Sequence, residues 1–311
     1  MATSLLGCDV LRADQFSLDQ IETIMDTAAR FETVMRGGGR LLNMAGKVLA
    51  TLFYEPSTRT RLSFETAMLQ LGGQVLSVAE AKTSSSAAKG ETLFDTGKMI
   101  EGYAHAAVIR HPVQGSAAEL AEGAAIPVLN AGDGAGQHPT QALLDLYTIR
   151  KEKGHVQGLT IALAGDLKNG RTVHSLASLL ANFGVRFYFV APPALAMPGD
   201  ITAGLRANGV AVEETPDLPA ALAQADVVYM TRIQKERFSD PAEYDRLKGA
   251  YVLDMDLVQR AKSGLTIMHP LPRVDEIAKA VDDYPGAAYF RQAANGVPVR
   301  MALLALVTGR E

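Results

Sequence analysis

Short apolar runs rich in β-branched residues recur along this chain, each followed by a turn and a stretch with helical spacing. The pattern occurs in two series. The first has strand-like runs at 48–53, 75–78, 106–109 and 126–129, with helix-like spacing at 62–71 and 92–103. The second has runs at 159–164, 187–190, 227–230, 252–253 and 265–268, separated by helix-like stretches at 172–182, 218–225 and 241–247. Continuous apolar strands alternating with amphipathic helices require parallel sheets covered on both faces. The expected fold class is therefore α/β: two doubly wound parallel-sheet domains joined by a connector helix over 139–153. Asp283-Tyr284-Pro285-Gly286 breaks the second series, and an apolar stretch at 299–307 reads as a helix returning to the first domain. Pro298 either opens that helix or kinks one that began earlier. The expected boundaries are 1–138 with 290–311 for the first domain, 139–153 for the connector and 154–289 for the second domain. A length of 311 residues suits two domains of about 150 residues each.

Composition narrows the function. The formal charge is −4 and there is no Trp, which argues against a nucleic-acid partner. No apolar run approaches the roughly 20 residues of a membrane span, and the N-terminus has neither the basic flank nor the long apolar core of a secretory signal. Cys8 is the only cysteine, so neither an internal disulfide nor a multi-thiolate zinc site can form. These features point to a cytoplasmic protein with no metal. In a net-negative chain, any anion site must concentrate its basic groups locally.

In open α/β sheets ligands bind beyond the carboxyl ends of the strands, and the richest such segment is Glu55-Pro56-Ser57-Thr58-Arg59-Thr60-Arg61. Three hydroxyls and two guanidiniums lie at the start of a helix whose free N–H groups and dipole favour an anion. An ordinary Ser/Thr cap with two solvated arginines is the plainer alternative, but five such residues in a row are too dense for a cap. Phosphate binding is the expectation.

That segment resembles the carbamoyl-phosphate motif of the aspartate/ornithine carbamoyltransferase family. Further resemblances follow in the family's order: Arg110-His111-Pro112, His138-Pro139-Thr140-Gln141, the run from Gly165-Asp166-Leu167 to Arg171-Thr172-Val173-His174-Ser175, Thr231-Arg232-Ile233-Gln234, and His269-Pro270-Leu271-Pro272-Arg273. They span nearly the whole chain. The last three point to the aspartate branch. Ornithine-using members usually carry cysteine where this chain has Leu271.

The resemblance implies transfer of a carbamoyl group from carbamoyl phosphate to L-aspartate, without a cofactor, in a homotrimer with shared active sites. It leaves the attachment of regulatory chains open. It gives carbamoyl phosphate to the first domain, through Ser57, Thr58, Arg59, Thr60, Arg110, His138 and Gln141, with Leu271 and Pro272 contributing backbone carbonyls. Ser85 and Lys89 would reach in from a neighbouring subunit; some relatives have two adjacent lysines there, and here the first is Ala88. Arg59, Thr60, Lys89, Arg110 and His138 would serve catalysis. Thr60, Arg110 and a neutral His138 would surround the carbonyl oxygen that gains charge on attack. Aspartate would be held by Arg171, Thr172, Arg232, Gln234, Leu271 and Lys89, because a dicarboxylate calls for two arginine clamps.

Competing readings are weaker. A buried strand-end arginine such as Arg110 is ordinarily a salt-bridge partner, and a histidine before proline is ordinarily a turn residue. The sequence Gly165-Asp166-Leu167-Lys168-Asn169-Gly170 does not match G-x-G-x-x-G, so a dinucleotide site is disfavoured. His174 and Lys168 read as packing or solvated residues. Glu55 is expected to pair with Arg171 or Arg237 and not to act as a base.

Overall fold

A computed structural model describes residues 4–81, 90–233 and 240–311. In chain order the elements are α1 (Leu18–Arg36), β1 (Val48–Phe53), α2 (Thr58–Gln70), β2 (Gln74–Ala79), α3 (Leu93–Ile100), β3 (Ala106–His111), α4 (Ser116–Gly123), β4 (Val128–Asp133) and α5 (Pro139–Lys153). They continue with β5 (Thr160–Ala164), α6 (Arg171–Leu180), β6 (Arg186–Val190), α7 (Gly199–Ala207), β7 (Ala211–Thr215), α8 (Leu218–Leu222) and β8 (Val227–Met230). The last are α9 (Pro241–Leu247), α10 (Met255–Arg260), β9 (Thr266–Met268) and α11 (Tyr289–Val307). None of the described helices is long and apolar enough to cross a membrane.

The chain forms two compact units. One runs to Leu144 and takes back Asn295–Glu311; the other is Asp145–Ala294. Both boundaries fall inside helices, α5 and α11. The first unit holds a parallel sheet of order β2-β1-β3-β4. The second holds a parallel sheet of order β7-β6-β5-β8-β9. The α/β class with two parallel sheets is thus as expected from the two series of apolar runs.

Burial along the strands explains why these runs were legible. Successive residues of β1, β4, β5 and β8 are buried almost without interruption, so both sheet faces are covered. The edge strands β2 and β7 are largely exposed. β7, Ala-Val-Glu-Glu-Thr, is a strand the apolar criterion missed. The apolar run at 126–129 becomes a strand only from Val128, after Pro127, which has no N–H to give to a sheet. The expected strand at 252–253 is a correction. Leu253 makes only an isolated bridge to Ile277, since Asp254 immediately caps α10. The helix expected at 299–307 begins ten residues earlier and contains Pro298 in its interior.

Local capping fixes where helices begin. Ser17 and Gln20 exchange a reciprocal pair of bonds at the start of α1. At the end of α2, Gly72 takes φ 78°, a conformation glycine reaches without strain.

Candidate active site

Each sheet has one place where its strand order reverses, and Arg59, Arg110, Arg171 and Arg232 lie at or just after the ends of the strands that flank these reversals. In the first unit β1 connects outward to β2, and β3 then lies on the other side of β1. The crevice beyond the ends of β1 and β3 is the topological switch point. β1 runs through Tyr54 and Glu55 into Ser57, the residue before α2. Ser57 makes no side-chain cap bond, and the first turn of α2 contains no acidic residue. The start of α2 therefore offers its amides, hydroxyls and dipole to an anion. Thr60 is buried, whereas Thr58 and Arg59 are exposed. Partial desolvation of the Arg59 guanidinium lowers its pKa from the ordinary value.

Arg61 has a different setting from Arg59. Its Nη1 lies 3.4 Å from Ser77 Oγ on β2, and Ser77 in turn donates to Glu65 at 2.6 Å. It ties α2 to the sheet edge.

Arg110 ends β3 beside this turn. The Tyr54 N–H donates to the Arg110 carbonyl at 2.8 Å, registering the two strand ends. The Arg110 guanidinium donates to the Ala131 carbonyl at 3.2 Å and lies 2.9 Å from Glu55 Oε2. Glu55 thus has a partner within its own unit, where the sequence suggested Arg171 or Arg237; Arg237 lies outside the described residues. Next along the chain, the His111 ring accepts from the Val113 N–H and stacks edge-on against Tyr54. Burial lowers its pKa from the ordinary value.

His138 is 4% exposed and stands immediately before α5. Its carbonyl accepts from the Gln141 and Ala142 N–H groups, so it opens the helix and sets Gln141 one turn away. Its approach is fixed by Asp133, which the sequence gave no reason to select. One Asp133 oxygen accepts from the Gln137 N–H at 2.6 Å and from Asn130 Nδ2 at 3.1 Å; the other accepts from the Gly115 N–H at 2.8 Å.

A buried arginine from the C-terminal helix joins the middle of α2 to the start of α5. Arg300, 3% exposed, donates to Ser63 Oγ and to Thr140 Oγ1 and lies over the Phe64 ring. Gly296 leaves room for it, because a Cβ there would meet Arg300 Nη1 at 2.4 Å.

In the second unit the order reverses between β5 and β8. Gly165 follows β5 with φ 116°, and a Cβ there would come within 2.3 Å of the Thr231 carbonyl, so this crossing needs glycine. Thr231, after β8, holds the Asp166 N–H on its hydroxyl at 3.0 Å. Asp166 then accepts from the Asn169 N–H and side chain, shaping the turn that delivers Arg171 and Thr172 to the first turn of α6. Arg232 follows Thr231. The three residues are partly exposed. His174 is a packing residue: its Nε2 lies 2.7 Å from the Leu167 carbonyl, and burial lowers its pKa despite that bond. Leu271 and Pro272 lie beyond β9, joined by a cis peptide bond. The remaining candidates, Ser85, Lys89 and Gln234, lie outside the described residues.

Known proteins match this arrangement over nearly its whole length. Residues 9–151 match the carbamoyl-P binding domain of the aspartate/ornithine carbamoyltransferases, and residues 157–307 match their Asp/Orn binding domain. The aspartate carbamoyltransferase catalytic subunit of Thermococcus kodakarensis is 54% identical over 303 residues, covering 97% of each chain. Among solved structures, the catalytic subunit of M. jannaschii aspartate transcarbamoylase has TM-score 0.89 and 50% identity, covering 96% of both chains. Aspartate transcarbamoylase from Trypanosoma cruzi, in complex with carbamoyl phosphate and aspartate, has TM-score 0.93 and 42% identity, covering 98% of both. The chain belongs to the aspartate/ornithine carbamoyltransferase family and is a carbamoyltransferase.

Proposed function

We propose that the protein transfers the carbamoyl group of carbamoyl phosphate to the amine of L-aspartate, giving N-carbamoyl-L-aspartate and phosphate, the committed step of de novo pyrimidine biosynthesis. The observation that carries the choice of acceptor is the pair Arg171 and Arg232, one on each side of the second sheet's reversal. Two guanidiniums suit the two carboxylates of aspartate, whereas the side-chain ammonium of ornithine would be repelled.

The first domain, expected over residues 1–138 and 290–311, holds carbamoyl phosphate. Its phosphate rests on Ser57, Thr58, Arg59 and Thr60 at the start of α2, with Ser85 and Lys89 supplied by a neighbouring subunit of a trimer. Thr60, Arg110 and His138 donate to the carbonyl oxygen, and Gln141 accepts from the carbamoyl nitrogen. The second domain, expected over residues 154–289, holds aspartate through Arg171, Thr172, Arg232, Gln234 and Lys89, with 139–153 expected to connect the two. The carbonyls of Leu271 and Pro272 accept from the carbamoyl nitrogen and the attacking amine. A C–N bond forms, the C–O bond to phosphate breaks, and the departing phosphate takes the amine proton. Positioning and donors aimed at the developing oxyanion supply the acceleration. A single cysteine suits a cytoplasmic setting.

The test is a paired assay of carbamoylated product with aspartate and with ornithine as acceptors. Aspartate is expected to be preferred by at least about 1000-fold in kcat/KM, a discrimination of roughly 4 kcal/mol. Preference for ornithine would sink the choice of acceptor. Arg232→Ala is expected to raise the KM for aspartate and to leave carbamoyl phosphate binding intact.

A further inference from the structure

The segment after β9 carries a buried polar chain that the proposed chemistry does not use. His269 is 1% exposed and Glu276 5%. His269 Nε2 lies 2.6 Å from Glu276 Oε1. The Leu271 N–H donates to His269 Nδ1 at 2.7 Å, and the His269 N–H donates to Gln292 Oε1 at 2.8 Å. The other Glu276 oxygen accepts from the N–H groups of Val274 and Asp275, each at 3.1 Å. Gln292 continues inward to the fully buried Asp145, which also accepts from the Tyr229 hydroxyl.

These contacts define the proton positions. Nδ1 can accept from the Leu271 amide only through a lone pair, so the ring proton sits on Nε2 and is donated to Glu276. The ring is neutral. Burial lowers its pKa, the Glu276 carboxylate opposes that, and the positive charges of Arg273 and Arg232 add to it. For Glu276, burial acts to raise the pKa, but the His269 bond and the backbone N–H bonds leave it below its ordinary value. Both oxygens of one buried carboxylate and both nitrogens of one buried imidazole are thus committed to the backbone of residues 269–276 or to each other. Leu271 moreover has φ 54°, a left-handed conformation that a residue with a side chain keeps only where its surroundings hold it.

We propose that His269 is a positioning residue for catalysis. Its neutral imidazole holds the Leu271 amide and thereby aims the carbonyls of Leu271 and Pro272, while Glu276 selects the tautomer able to do so. The ring itself does not touch substrate. This rests on the reading that those two carbonyls receive the carbamoyl nitrogen and the attacking amine.

Two substitutions separate the two ring nitrogens. In His269→Asn the amide oxygen can stand where Nδ1 is and still accept from the Leu271 N–H. In His269→Gln the amide nitrogen can stand where Nε2 is and still donate to Glu276, but the Leu271 N–H loses its acceptor. The expected result is a kcat within about threefold of wild type for H269N and a loss of about 10- to 100-fold for H269Q, with the KM for carbamoyl phosphate little changed in both. Equal losses, or H269Q faster than H269N, would overturn the proposal. Rates are taken with whichever amine the wild type carbamoylates. An error in the choice of aspartate then shows in the wild type alone and leaves the contrast between variants readable. Should either variant fail to fold, long-range 1H–15N spectra of the wild-type protein decide. The His269 ring must show a bare Nδ1 and a protonated Nε2, and the opposite tautomer overturns the proposal.

Discussion

Asp133 and the Ser57–Arg61 segment show why some parts of the candidate site were legible and others were not. Hydroxyls and guanidiniums packed into five consecutive residues announce an anion site, because chemistry and sequence adjacency coincide there. Asp133 supports its neighbourhood through Gly115, 18 residues upstream, and through Gln137 and Asn130 nearby. Nothing in its sequence context marks it. The same holds for Glu276, whose value lies in three loop donors that only the folded chain brings to it. Replacing Asp133 by Ala leaves the Gly115, Gln137 and Asn130 donors without this acceptor in a largely buried place. The expected cost is roughly 2–4 kcal/mol of stability, together with a lower kcat/KM, since Gln137 leads directly into His138. Thermal unfolding and the carbamoyl-transfer assay check this. An unchanged melting temperature would mean that water replaces the carboxylate at no cost.

At the scale of elements, the strands with both faces buried were readable as apolar runs, and the exposed edge strand β7 was not. β7 presents Glu213 and Glu214 in a largely exposed strand, so it lacks the apolar continuity that marked its neighbours. The polar edge also discourages pairing with other chains. The two-residue run at Val252 and Leu253 erred in the opposite direction. Apolar character was present, but the cap of α10 leaves no length for a strand. α11 is the element whose start the sequence left ambiguous, and its accounting is specific. Pro298 has no N–H to give to the Ala294 carbonyl one turn back, and the two compact units divide between Ala294 and Asn295. The weak point of the helix ladder and the boundary of the units coincide. Pro298→Ala restores the missing donor and is expected to raise stability by about 1–2 kcal/mol, after allowing for the greater freedom it gives the unfolded chain. Differential scanning calorimetry reads the change. A fall in melting temperature would show that contacts of the proline ring outweigh the ladder bond.

At the scale of the whole molecule, each unit has its own sheet, its own point of strand reversal and its own basic residues. What one chain is not expected to supply to its own site is the cation at Lys89, which the family resemblance assigns to a neighbouring subunit. This makes activity a property of the assembly. A chain with Lys89→Ala keeps its own His138 but lends a neighbour no lysine. A chain with His138→Ala lends its lysine but lacks the proposed oxyanion donor, a change expected to reduce its own site's rate about 100- to 1000-fold. Each variant alone should be nearly inactive. In a trimer closed by rotation, every mixed assembly of the two contains one site with both residues intact, whichever variant is in the majority. Three quarters or so of randomly formed trimers are mixed, so co-expression of the two variants in equal amounts should restore about a quarter of wild-type activity. If Lys89 served the site of its own chain, every site in every mixture would lack one residue or the other. The mixture would then be no more active than its components.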